Sequence, residues 1–208
     1  MQNRGSTPAG VIGPRLSLLA ACALLAPALA LAGPGDDYDA LIERARAGDY
    51  EPALAMLRQQ GAAGGNRAVY DHIIIAGWAG RPGESIAAYE QLPRGAALPA
   101  DIQLAVARAY RDLQRWPEAL AAYQAGTRRY PAQSAFRAGE IMTLADAGRY
   151  PQAREAAAQW LKRHPRDVDA RLALSYVHAR QGEPYEALHQ ADLALAAAPD
   201  TAYVIREY

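Results

Sequence analysis

The sequence predicts an all-α solenoid of stacked helical hairpins, and three observations carry that expectation. Pro131, Pro165 and Pro199 stand 34 residues apart. Each has an alanine 12 residues upstream, at Ala119, Ala153 and Ala187. The composition is 51% apolar but only 8% aromatic, with a single phenylalanine, which suits a stack closed by many small contacts. A unit repeated at fixed stride cannot bury its apolar face alone and must lean on its neighbours.

A period of 34 is that of the tetratricopeptide helix-turn-helix, so the expected architecture is a right-handed superhelical tetratricopeptide-repeat solenoid of about five helix pairs. Before the repeats, residues 1–32 read as a secretory signal. Arg4 and Arg15 precede an apolar run from Leu16 to Ala32 that is broken by Pro27 and is marginal for crossing a bilayer about 30 Å thick. Ala28-Leu29-Ala30 and Ala30-Leu31-Ala32 offer small-x-small cleavage patterns, which places the expected cut near Gly33. Two alternatives stay open: an uncleaved anchor, and lipidation of Cys22, the only cysteine, within Leu19-Ala20-Ala21-Cys22. With the signal removed the chain cannot form a disulfide, so its stability must come from packing.

Residues 33–37 read as a short linker, and residues 38–208 as the repeat domain. The first pair is expected at roughly Tyr38 to Gln60 and the second at roughly Arg67 to Leu92. Between them Gly61 to Asn66 reads as a loop, because adjacent glycines carry a large ordering entropy. Gly80 to Gly83, Gly-Arg-Pro-Gly, reads as a turn inside the second pair. Gly48, Tyr50 and Ala53 precede Ala87 and Pro99 in frame, apart from a two-residue slip placed before Ala119.

The best repeats span 100–133, 134–167 and 168–201. In the first, Ala107 and Ala119 are expected to let two helices approach while Tyr110, Trp116 and Tyr123 fill the space around them. Pro131 ends the second helix, since proline lacks the amide donor and clashes with the preceding turn. The next copies keep Gly148, Tyr150, Ala153 and Pro165, then Ser175, Gly182, Ala187, Ala194 and Pro199. After Pro199 a new helix is expected from Ala202, and its stop at Tyr208 without a polar cap reads as the front part of something longer.

Charge and chemistry narrow the function. The chain carries 22 basic and 22 acidic residues; without Arg4 and Arg15 the balance is −2, so nothing favours nucleic acid. His72, His164, His178 and His189 show no zinc-ligand spacing, although His178 and His189 stand on paired helices. Ser85 and Ser175 have no histidine and acid arranged around them in a recognisable signature, and no glycine run forms a phosphate-binding loop. The expectation is a non-enzyme with no cofactor and no metal. Trp78, Trp116 and Trp160 read as packing residues in preference to sugar platforms.

A more specific resemblance follows from ordered segments: Tyr38-Asp39-Ala40-Leu41-Ile42, then Ala45-Arg46-Ala47-Gly48-Asp49-Tyr50 with Pro52-Ala53-Leu54, then Trp78-Ala79-Gly80. Ala105-Val106-Ala107, Ala109-Tyr110-Arg111-Asp112-Leu113-Gln114-Arg115-Trp116 and Thr143-Leu144-Ala145-Asp146-Ala147-Gly148-Arg149-Tyr150 continue it. Together these resemble the periplasmic repeat domain of the outer-membrane porins that export poly-N-acetylglucosamine in biofilms. The resemblance implies export to the periplasmic face of the outer membrane. It implies two partners, a de-N-acetylase lipoprotein and partly deacetylated polymer, and membrane attachment only through a C-terminal β-barrel that these 208 residues do not include. The alternative is a lipidated or soluble periplasmic repeat adaptor for envelope assembly.

In repeats of this kind the first helix of each pair lines the concave groove. That places Asp101, Arg108, Arg111, Asp112, Met142, Asp146, Asp169, Tyr176 and Arg180 on one surface. Carboxylates there could pair with the free amines of a deacetylated sugar, and a tyrosine could stack on a pyranose face.

Overall fold

One backbone device recurs five times and sets the frame of the molecule. In a computed structural model that describes residues 34–198, the turn inside each helix pair carries one residue of positive φ. These are Gly48 (95°), Gly80 (67°), Gln114 (57°), Gly148 (72°) and Gly182 (76°). The next amide reaches back to the carbonyl five residues earlier each time: Asp49 to Arg44, Arg81 to Ala76, Arg115 to Tyr110, Arg149 to Leu144 and Glu183 to His178. This six-to-one closure satisfies carbonyls that the helix end would otherwise leave unpaired, and it favours glycine because a side chain strains the left-handed backbone. Gln114 is the one departure from glycine at this position.

Ten α-helices follow from it among the described residues. The pairs are α1 (Pro34–Arg46) with α2 (Tyr50–Gln60), α3 (Gly65–Trp78) with α4 (Pro82–Tyr89), and α5 (Ala100–Asp112) with α6 (Trp116–Arg129). Then come α7 (Ser134–Asp146) with α8 (Tyr150–Arg163), and α9 (Val168–Arg180) with α10 (Pro184–Ala197). Proline stands in the first turn of α4, α6, α8 and α10, where its missing amide has no helical partner to lose. The five helix pairs and the all-α solenoid match the sequence expectation.

Several boundaries differ. Residues 33–37 are not a linker throughout, because α1 already begins at Pro34, a residue whose fixed φ suits a first helical position. Gly61–Gly64 form a 3₁₀ turn and α3 starts at Gly65, so the expected loop is largely helical. The turn in the second pair is narrower than Gly80 to Gly83, since Pro82 and Gly83 belong to α4. That helix stops at Tyr89 because Pro93 disfavours helical backbone at Leu92; Leu92 and Leu98 then anchor the long connection by burial. The signal segment, Cys22, the cut near Gly33, Pro199 and the helix expected from Ala202 lie outside the described residues.

The slip is the most consequential correction. Second helices start at Pro82, Trp116, Tyr150 and Pro184, each 34 residues after the last, whereas Tyr50 to Pro82 is 32. The two-residue deficit therefore falls between the first and second pairs, and Ser85, not Ala87, is the counterpart of Ala119. Ser85 is fully buried, while Ala87 is exposed.

Packing confirms the small-residue contacts. Ala53, Ala107, Ala119 and Ala153 are completely buried and Ala187 nearly so. The helices cross so closely there that serine on either partner reaches the opposite backbone. Ser85 Oγ donates to the Ile73 carbonyl at 2.9 Å, and Ser175 Oγ donates to the Ala187 carbonyl at 2.7 Å. Between pairs, Gly126 makes room for the Phe136 ring and Gly139 for the Tyr123 ring. A Cβ at either glycine would lie 2.1 Å from that ring. The core is accordingly divided into four clusters along the stack, one of them being Ala107, Tyr123 and Phe136.

Candidate functional site

The first helices of successive pairs stand side by side and leave two adjoining hollows on one face. The larger, about 830 Å³, lies between α3 and α5 and extends to α1; the smaller, about 400 Å³, lies between α5, α7 and α9. Arg108 and Asp112 line both, so they form the shared wall of one groove. Asp101 lines the larger hollow, and Arg111, Met142 and Asp169 line the smaller.

The later part of this face is internally satisfied. Arg111 Nε donates to Asp146 Oδ2 at 2.6 Å, the Tyr176 hydroxyl donates to Asp146 Oδ1, and Arg180 Nε lies 3.9 Å from the same oxygen. The Arg111 guanidinium also sits 5.5 Å from the centre of the Tyr176 ring, a cation–π contact. Burial and the bond to Asp146 both push the Tyr176 hydroxyl up from its ordinary pKa. Asp169 accepts a hydrogen bond from Ser134 Oγ. Four expected groove residues, Arg111, Asp146, Tyr176 and Arg180, thus come together as one network, each tied to a neighbour 30 to 35 residues away.

The earlier part is different. Asp101, Arg108 and Asp112 make no side-chain hydrogen bond or ion pair among the described residues. Partial burial raises the Asp112 acid above the usual carboxylate range against the lowering pull of Arg111 and Arg108. Across the hollow, Asp71 accepts from the Tyr38 hydroxyl at 2.5 Å, and Arg67 lies over the Tyr38 ring while pairing with Asp39.

Trp78 is the functional candidate that sequence reasoning missed. It is 49% exposed and lines the larger hollow, so about half of the ring takes part in packing and the rest faces the groove. Trp78, Asp112, Asp146 and Arg180 end successive first helices at a stride of 34. Placing the slip before Ala119 would have put Gly80 in this column, which hid the tryptophan. The other two behave as expected of packing residues: Trp116 is half-buried, and Trp160 is 8% exposed, donating from its indole to Asp167 Oδ2.

The histidines do not converge. His72 Nε2 lies 2.7 Å from Glu84, which Arg58 also holds; His178 Nδ1 lies 2.6 Å from Glu183 in place of facing His189, which is exposed; and His164 packs on Trp160. Among the described residues no three His, Cys, Asp or Glu side chains are grouped to hold a metal ion, and no helix is long and apolar enough to cross a membrane.

Comparison with known proteins adds three findings. Over 173 residues, 83% of its length, the chain is 36% identical to the poly-beta-1,6-N-acetyl-D-glucosamine export protein of Escherichia coli strain K12, and equally so to that of Escherichia coli O157:H7. The match spans 21% of those relatives' own length. Among solved structures, TTC0263, a thermophilic repeat protein of Thermus thermophilus, superposes with a TM-score of 0.61 at 18% identity, covering 83% of this chain and 94% of that one. MamA MSR-1 gives 0.57 at 20% identity, covering 80% and 97%. At such identities the likeness concerns the fold. The tetratricopeptide repeat profile matches residues 70–134 and 139–202. The repeat spacing, the five matching turns and this profile have one explanation: the chain belongs to the tetratricopeptide repeat family.

Proposed function

We propose that this chain is a non-catalytic docking scaffold in the export of poly-β-1,6-N-acetyl-D-glucosamine, working on the periplasmic face of the outer membrane. Its partners are the partly deacetylated polymer and the periplasmic de-N-acetylase lipoprotein that trims it. The observation that carries the reading is the 36% identity to the export protein across 83% of this chain. The groove chemistry is compatible with it. Partly deacetylated polymer presents apolar pyranose faces and ammonium groups, and the early groove presents an exposed indole and the unpaired carboxylates of Asp101 and Asp112.

The direct test is retention of the purified chain on immobilised, partly deacetylated polymer, together with co-elution with the purified de-N-acetylase. The expected result is retention that Asp101→Lys with Asp112→Lys reduces several-fold, at an unchanged melting temperature. Wild-type protein that neither stays on the polymer nor co-elutes with the enzyme would overturn the reading.

A further inference from the structure

We infer that the hollow between α3 and α5 is a saccharide subsite that takes one N-acetylated, uncharged hexosamine unit, with Trp78 as its stacking platform and Arg108 and Asp112 as its polar contacts. The inference rests on the reading above, that the chain handles a β-1,6-linked glucosamine polymer. Its own support is local to the hollow.

Three observations converge there. First, the Trp78 indole is 49% exposed at the wall of a hollow of about 830 Å³, although burial of a side chain this large is strongly favourable. A flat apolar surface held open in this way matches the C–H face of a pyranose ring, whose removal from water it would share. Second, Arg108 and Asp112 stand one helical turn apart on α5, line the same hollow, and make no side-chain hydrogen bond or ion pair among the described residues. A guanidinium and a partly desolvated carboxylate offer donors and acceptors together, the combination that vicinal hydroxyls and an acetamide group require. Third, the charges around the hollow balance: Arg46, Arg67 and Arg108 against Asp71, Asp101 and Asp112. Beside them Ile74, Leu104 and Ala105 give an acetyl methyl group an apolar wall.

The later hollow lacks this combination. It shares Arg108 and Asp112 but no tryptophan lines it, and beside it Asp146, in Trp78's column, is already held by Arg111 and Tyr176, so a sugar reaching it would have to break existing bonds.

The probes are two β-1,6-linked hexamers, one fully N-acetylated and one fully de-N-acetylated, titrated against the full chain. Tryptophan emission and acrylamide quenching are the readouts, since Trp78 is the most exposed of the three tryptophans. The acetylated hexamer is expected to protect Trp78 from quencher and to bind several-fold tighter than the de-N-acetylated one. Trp78→Ala should weaken it about tenfold, followed by calorimetry. Arg108→Gln and Asp112→Asn, both surface changes that keep the fold, should each weaken it several-fold, so the test survives if Trp78→Ala misfolds. Wild-type binding that these variants leave unchanged would overturn the subsite and leave the docking function standing. Tighter binding of the de-N-acetylated hexamer would overturn its preference for an uncharged unit. Protection of Trp78 by an apolar peptide but by neither hexamer would make the hollow a peptide groove and sink the inference. Failure of wild-type protein to bind either hexamer or the polymer would remove the saccharide reading altogether.

Discussion

The groove face of α3 and α5 and that of α7 and α9 are built on the same frame, yet they treat their polar groups in opposite ways. In the later half Arg111, Asp146, Tyr176 and Arg180 satisfy one another across three first helices. In the earlier half Asp101, Arg108 and Asp112 make no side-chain hydrogen bond or ion pair among the described residues, beside an exposed tryptophan. Interlocked charges stiffen a stack; those without a hydrogen-bond partner stay solvated. One repeat architecture thus ties up the polar groups of one stretch of a continuous surface and leaves those of another, the stretch proposed for recognition, without hydrogen bonds.

The comparison presupposes a single continuous register, which the harshest substitution would break. Ala119→Arg forces an unpaired charge into a fully buried helix crossing and should cost about 3 kcal/mol or more, a large part of total stability, seen as a collapsed melting transition. Gly139→Ala is gentler in chemistry but drives a methyl group into the Tyr123 ring. It should cost about 1–3 kcal/mol in urea unfolding and so test the joint between the two halves.

The contrast itself is sharpened by matched neutralisations. Asp146→Asn removes the negative charge of a partly buried ion pair and turns one of its two acceptor oxygens into a donor, and should destabilise by about 1–3 kcal/mol. Asp112→Asn, one repeat earlier in the same column, should stay within about 0.5 kcal/mol. Equal costs at the two positions would erase the distinction.

A pH experiment probes the junction of the first two pairs. Arg58, chiefly, and His72 hold the Glu84 carboxyl down at about 2, below its ordinary 4.5, against the opposing effect of burial. A depressed acid contributes stability that is complete above its unfolded pKa, so this contribution should fade as pH drops from about 4.5 towards 2, and Glu84→Gln should remove that part of the slope. The smallest effect is favourable. Gln114→Gly relieves a left-handed side chain and should add about 1 kcal/mol, raising Tm by roughly 2–4 °C.

Much of this was legible in the sequence because the stride is written in residues whose role is local. Pro131 and Pro165 stand just past helix ends, where a missing amide stops further helix, and Gly148 and Gly182 mark turns that glycine makes with least strain. The alanines at 107, 119 and 153 signal a close crossing through their size alone. The groove was legible as a column, and its first-helix residues do share one face. What could not be read was which of them would be free. Asp146 and Asp112 look alike in sequence, and only the positions of Arg111 and Tyr176 distinguish them. The frame slip was misassigned because Ala87 and Ser85 are both small, and burial alone tells which one meets the facing helix. That error carried over to Trp78, which looks like any other packing tryptophan until the column through Asp112 is known.

The sequence by itself determined the helix pairs, their turns and their contact points, because backbone preference and side-chain volume act within a few residues and repeat with the chain. The tertiary structure alone decided the register of the first pair, the pairing of the groove charges and the exposure of Trp78. Those depend on distances between side chains about one repeat apart in sequence, which are set only once the hairpins have stacked.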